Sequence, residues 1–157
     1  MKFLQIIIFI VFGFCSLQVS AQKKTNRQAV NAKVKAPKLS TLLGNYKDSV
    51  AVTVDVGSNV IALPLQITDD KNNIYSIVSY QFLYKKVGVT EDEQTEKVSP
   101  TTTISSSYFK NTPLPPVWVS TIQKYLKQGE VLYFFDVVVR DVKGNYYLAP
   151  TLKFTIK

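Results

Sequence analysis

Histidine is missing from all 157 residues of the chain, and cysteine occurs once, at Cys15. Without histidine there is no commonest general base, no usual partner for a serine or cysteine nucleophile, and no commonest zinc ligand. Cys15 sits in an N-terminal apolar run that is expected to be removed. The rest of the chain then has no thiol chemistry and no disulfide, so its stability must come from packing. The six glycines form no phosphate-cradling loop. No cofactor and no metal is expected, and carboxylates are left as the main reactive groups.

The first 21 residues read as a secretory signal. Lys2 supplies the basic end, residues 3–14 are almost continuously apolar, and Val19-Ser20-Ala21 offers the small residues a signal peptidase inspects. Cleavage is expected between Ala21 and Gln22. A permanent anchor would want about 20 apolar residues, and this run ends earlier, in Ser16, Gln18 and Ser20. A lipoprotein is disfavoured because Cys15 follows Phe14 rather than a small residue. The destination expected is the periplasm, with outer-membrane association or secretion as alternatives.

The net charge of +8 resembles a nucleic-acid or membrane signature until its distribution is read. Lys23, Lys24, Arg27, Lys33, Lys35 and Lys38 crowd a segment that has no acid and no aromatic residue. Beyond Thr41, cations and acids nearly balance. Residues 22–43 therefore read as a basic flexible linker, too poor in apolar groups to pack. Nucleic acid is not expected as a partner, and membrane contact could run only through this linker.

Residues 44–157 read as one mainly β domain, an antiparallel β-sandwich of six or seven strands with one short helix near residues 117–128. Val50, Val52, Val54 and Val56 alternate with smaller or polar residues, which predicts a strand. Gly57-Ser58-Asn59 predicts a turn, and residues 60–68 a second strand hairpinned to the first, with Pro64 at an edge or bulge. Residues 74–85 carry apolar side chains on both faces and predict a central strand. Residues 88–100 read as an acidic loop and 101–109 as a further strand. Trp118, Ile122, Tyr125 and Leu126 form a helical stripe, with Gly129 expected to close the helix. Residues 130–140 form the most apolar run and predict a central strand. Gly144 is placed in a hairpin connection, and residues 146–148 and 151–157 complete the sheet.

The carboxylates form no catalytic pattern. Asp69 and Asp70 with Asn72 and Asn73 do not have EF-hand spacing and read as a turn. Asp136 interrupts an apolar strand, costly if it faces the core without a partner such as Arg140. A pair such as Asp55 and Asp136 would serve a hydrolase only if the fold brought them into one cleft. Candidate interaction surfaces are Tyr146 and Tyr147, on a possible binding edge, and the acidic Glu91, Asp92 and Glu93.

The second half of the chain carries a family pattern. Tyr75-Ser76-Ile77-Val78-Ser79-Tyr80-Gln81-Phe82 is similar to a "Y-x-V-x-S-F-x-V" strand. A helix ending Leu126-Lys127-Gln128-Gly129-Glu130 leads into Val131-Leu132-Tyr133-Phe134-Phe135-Asp136. Asp141-Val142-Lys143-Gly144-Asn145 and a closing strand ending Phe154-Thr155-Ile156-Lys157 follow. This order resembles the C-terminal domain of the GldM/PorM family, the periplasmic shaft of the gliding-motility and type IX secretion motor, over roughly residues 74–157. The family has an N-terminal transmembrane helix and tandem periplasmic domains, so this chain is expected to be a single-domain relative rather than the shaft. The resemblance implies a β-sandwich that binds an envelope protein partner or dimerises, and it carries over no catalytic residue. The expectation is a non-enzymatic cell-envelope protein-interaction module. The alternatives are a glycan- or lipid-binding module using surface aromatics, and a carboxylate-based envelope hydrolase.

Overall fold

A computed structural model describes residues 36–157. The signal, the Ala21–Gln22 cleavage point and the linker up to residue 35 lie outside the described residues. The elements in chain order are β1 (Leu39–Leu43), β2 (Tyr46–Lys47), β3 (Ser49–Val52), α1 (Val54–Val60), β4 (Leu65–Asp69), β5 (Ser76–Glu91), β6 (Val98–Phe109), α2 (Pro116–Tyr125), β7 (Val131–Arg140), β8 (Tyr146–Ala149) and β9 (Leu152–Ile156). The architecture is mainly β and sandwich-like, as expected, although it has nine strands and two helices.

Two sheets form the layers. The smaller has the order β2-β1-β4, and the larger runs β3-β9-β7-β5-β6, with β8 also on β7. All pairs are antiparallel except β3 with β9, which is parallel. β7 is central because every second residue is large and apolar. Leu132, Phe134, Val137 and Val139 are buried, together with Tyr80, Phe82 and Tyr84 of β5 and Leu152, Phe154 and Ile156 of β9. The smaller sheet covers this inner face through Leu39, Leu43, Leu65 and Ile67, which share its core. Trp118 of α2 meets Phe82 edge-on at 5.5 Å and Phe109 at 5.9 Å.

Several sequence expectations change. Leu39–Leu43, assigned to the linker, is strand β1, and the alternation of buried Leu39, Thr41 and Leu43 outweighs its basic surroundings. Strand β3 ends at Val52, and Val54–Val60 is helix α1, with Gly57 inside it rather than in a turn. Val52, Val56 and Val60 also fit helical spacing, so the valine pattern serves both periods. The expected hairpin is therefore absent: β3 joins β9, and β4 joins β1. The acidic loop is mostly strand, since β5 and β6 extend as a two-stranded arm to Glu91 and Val98. Gly129 does take a positive φ of 87°, but it lies beyond the helix cap Leu126, in the turn into β7. Tyr125, placed on the apolar stripe, is exposed, with Lys124 Nζ 5.0 Å from its ring centre.

Candidate functional site

Strand alternation fixes what the large sheet presents away from its core. On β5 and β7 the outward positions are Gln81, Leu83 and Lys85 beside Phe135, Tyr133 and Val131. Register carries the same face onto β6, where Tyr108 lies opposite Gln81 and Ile104 opposite Lys85, and onto β8, where Leu148 lies opposite Val138. Tyr133 and Phe135 stack at 5.1 Å with an interplanar angle of 11°. A shallow depression of about 400 Å³ on this face is lined by Ser49, Leu83, Lys85, Val131, Tyr133, Thr151 and Lys153. An antiparallel sheet with one solvated face ordinarily turns polar residues outward. Here the central strands turn Leu83, Val131, Tyr133, Phe135 and Val138 outward, and Ile104 and Leu148 are 61% and 70% exposed.

The second feature is the free edge of β6. It ends the strand order, and its pairing with β5 runs through twelve consecutive residues without a shift. Its sequence, Val-Ser-Pro-Thr-Thr-Thr-Ile-Ser-Ser-Ser-Tyr-Phe, has no charged residue, and nearly every position is exposed. Edge strands are usually blunted by lysine, bulges, brevity or proline. Of these devices β6 has only Pro100, near its start.

The two interaction candidates from sequence lie far apart. Tyr146 begins β8 and is 62% exposed. Tyr147 points the other way, because neighbours on a strand face opposite sides, so the two tyrosines do not form one platform. Tyr147 meets Tyr75 edge-on at 5.9 Å and donates its hydroxyl to Asp141 Oδ2 at 3.1 Å. Glu91, Asp92 and Glu93 occupy the tip of the β5–β6 arm, about 50 Å along β5 from the end that adjoins Tyr146. Asp92 is a turn former, with Oδ1 accepting from the backbone N–H of Thr95 at 2.9 Å and Gln94 at 3.0 Å. These bonds, from Thr95 first, hold its carboxyl below the usual range. Glu91 and Glu93 are exposed at the tip.

A repeated motif escaped the sequence reading although it is visible there. Asp69-Asp70-Lys71-Asn72-Asn73-Ile74-Tyr75 and Asp141-Val142-Lys143-Gly144-Asn145-Tyr146-Tyr147 share the pattern D-x-K-x-N-x-Y. Both fold into the same turn. Asp69 Oδ1 accepts from Lys71 N and Asn73 N, and Oδ2 from Asn73 Nδ2 and the Tyr75 hydroxyl. Asp141 does the same with Lys143, Asn145 and Tyr147. The positive φ falls on Asn72 in one copy and Gly144 in the other. The asparagine side-chain bond is the main cause holding each aspartate below 3.8. A carboxylate so saturated is a poor proton donor, and its lone pairs are already taken.

The other acids are dispersed. Asp55 rides on α1, whose Gly57 packs under Ile156 on the inner side of the sheet. Asp136 lies on the outer side, in a β7 bulge with φ 49°, and accepts from Gln81 Nε2 at 2.8 Å rather than pairing with Arg140. The carboxylate that sequence reasoning missed is Glu130, only 2% exposed. It accepts from the Tyr84 hydroxyl, from Lys127 N at 3.0 Å and from Val87 N at 3.3 Å. Burial first, and then this bond, push the Tyr84 phenol well above its ordinary value. Among the described residues no cluster of three or more acids could hold a metal ion, and no helix is long and apolar enough to cross a membrane.

No protein-family model matches the chain, and no curated protein matches it.

Proposed function

We propose that this chain is a non-enzymatic, exported cell-envelope module whose work is to bind protein, in the setting that its GldM/PorM-like second half suggests. The observation that carries this reading is the outward apolar face of the large sheet, centred on the stacked Tyr133–Phe135 pair and continuous with the open edge of β6. Apolar area held in water is unfavourable by roughly 25 cal/mol per Å², and a partner relieves it. Carboxylate chemistry finds less support. Asp55 and Asp136 lie on opposite sides of the sheet, while Asp69 and Asp141 are saturated by their own turns.

The test is a photoreactive residue placed at Tyr133 or Leu148 in the native host, with the envelope fraction analysed for cross-links. The expected result is one defined adduct that is lost when Phe135→Lys is added. Unmodified protein at both positions would overturn the reading. A glycan-binding reading draws on the same ring pair. Each ring, however, covers one face of the other, which halves the open ring surface on which a sugar stacks.

A further inference from the structure

We infer that the occupant of the β6 edge is the β6 strand of a second copy of this chain, paired antiparallel about a twofold axis at Thr103. This deepens the protein-binding reading and rests on it. An edge that lacks charge, bulge and internal glycine over twelve residues is a template for another strand. The sequence of β6 says which strand fits.

A twofold axis perpendicular to the sheet must pair even-numbered residues with even-numbered ones, because opposed side chains in an antiparallel ladder share a face. The register centred on Thr103 keeps the whole strand paired. It sets Tyr108 against Val98 of the other copy, Ile104 against Thr102, and Ser105 against Thr101, each contact occurring twice. Phe109 then meets Lys97, and Lys110 arrives at the other copy's acidic tip, where Glu91, Asp92, Glu93 and Glu96 lie. That tip has no other assigned role, and here it complements a cation just beyond the opposite end of the same strand. The ladder would add about ten hydrogen bonds, as many as a standard interface carries, with Pro100 withholding one donor per copy. The apolar outward faces of the two copies would then join into one continuous surface.

The test uses the chain from Gln22 onward, which contains no cysteine of its own. Sedimentation velocity should show a dimer at tens of micromolar. Thr103→Lys sets like charges face to face at the axis and should weaken that dimer about tenfold or more. Its thermal unfolding, read at dilutions where the unsubstituted chain is monomeric, should fall only slightly, because Thr103 is exposed and the new lysine meets a like charge within its own copy only at Lys86, its partner on β5. Thr103→Cys should be joined to itself by a short bifunctional thiol-reactive cross-linker, and an equal mixture of Thr101→Cys and Ser105→Cys should give more cross-linked dimer than either variant alone. A monomer under these conditions overturns the inference, as does a dimer indifferent to Thr103→Lys or a mixed pair that does not exceed the single ones. Such a failure leaves the cross-link at Tyr133 or Leu148 unaffected, so it is distinct from failure of the protein-binding reading.

Discussion

Glu130 gives the sharpest test of the packing argument. Its carboxylate ties three groups from two segments: the Tyr84 hydroxyl and Val87 N–H of β5, and the Lys127 N–H after α2. Glu130→Ala removes every acceptor and strands the Tyr84 hydroxyl among buried neighbours, at a cost of about 1–3 kcal/mol. The two backbone donors belong to less buried residues and regain part of their bonding from water. The expected total is about 3 kcal/mol. Glu130→Gln can keep its carbonyl oxygen on Tyr84 and Lys127 and loses only the longer bond from Val87, so it should cost about 1 kcal/mol. Tyr84→Phe should cost a similar amount. The double variant Tyr84→Phe/Glu130→Ala should fall short of the sum by about 1 kcal/mol, because the lone hydroxyl is no longer there to be stranded. Urea denaturation with an unchanged slope measures all four. A loss below about 0.5 kcal/mol for Glu130→Ala, or strict additivity, would refute the reasoning.

Burial pushes the Tyr80 phenol up to about 12, so its contribution is complete below the unfolded value of 10 and lost as pH rises toward 12. The loss should be on the order of 1–3 kcal/mol, and the fall in urea midpoint above pH 10 should flatten in Tyr80→Phe. The depressed aspartates act in the opposite direction. Asp69 and Asp141 contribute stability that is present above 3.8 and fades as pH falls through their lower folded values. Asn73→Ala and Asn145→Ala should each move the matching carboxyl back upward in an NMR titration. Gly57→Ala would ordinarily favour a helix by about 1 kcal/mol, but its new Cβ would lie 2.8 Å from Ile156 Cδ1 and 2.9 Å from Leu126 Cδ2. Both neighbours are buried, so the sign should reverse to a net loss of about 1 kcal/mol, read from thermal unfolding.

What sequence could tell here depended on whether a local pattern had one physical reading. β7 and β9 were legible because large apolar residues at every second position serve no helix, and α2 because Ser120 and Lys124 interrupt the face that Trp118, Ile122 and Leu126 would share on a strand. The valines from Val50 to Val60 serve either. The choice is made by β9, which offers β3 only four partners, and by the fit of Gly57 under Ile156. β1 was hidden by composition, since six nearby cations outweighed three alternating core residues. The arm was hidden because acids at its tip made its strands read as loop. Tyr146 and Tyr147 were paired on adjacency, which in a strand separates side chains. Glu130 has no local signature, because its partners come from β5 and from the turn after α2.

The irregularities of the large sheet bear on the role of β6. β7 meets β9 along Val131–Phe134 and β8 along Val137–Arg140. The change of partner is accommodated by the bulge at Asp136, one extra residue on β7. Left uncorrected, that residue would slip β5 by one and turn its core face outward. A compensating extra residue on β5, at Val78, restores the register between Ile77 and Gln81. The strain of joining two strands to one is thereby confined to the covered centre of the sheet, and the β5–β6 ladder beyond it remains unbroken. Natural sheets more often place their bulges at the rim, where they deter pairing. Here the rim is regular and the interior is bulged, a geometry that keeps twelve residues of backbone aligned for another strand.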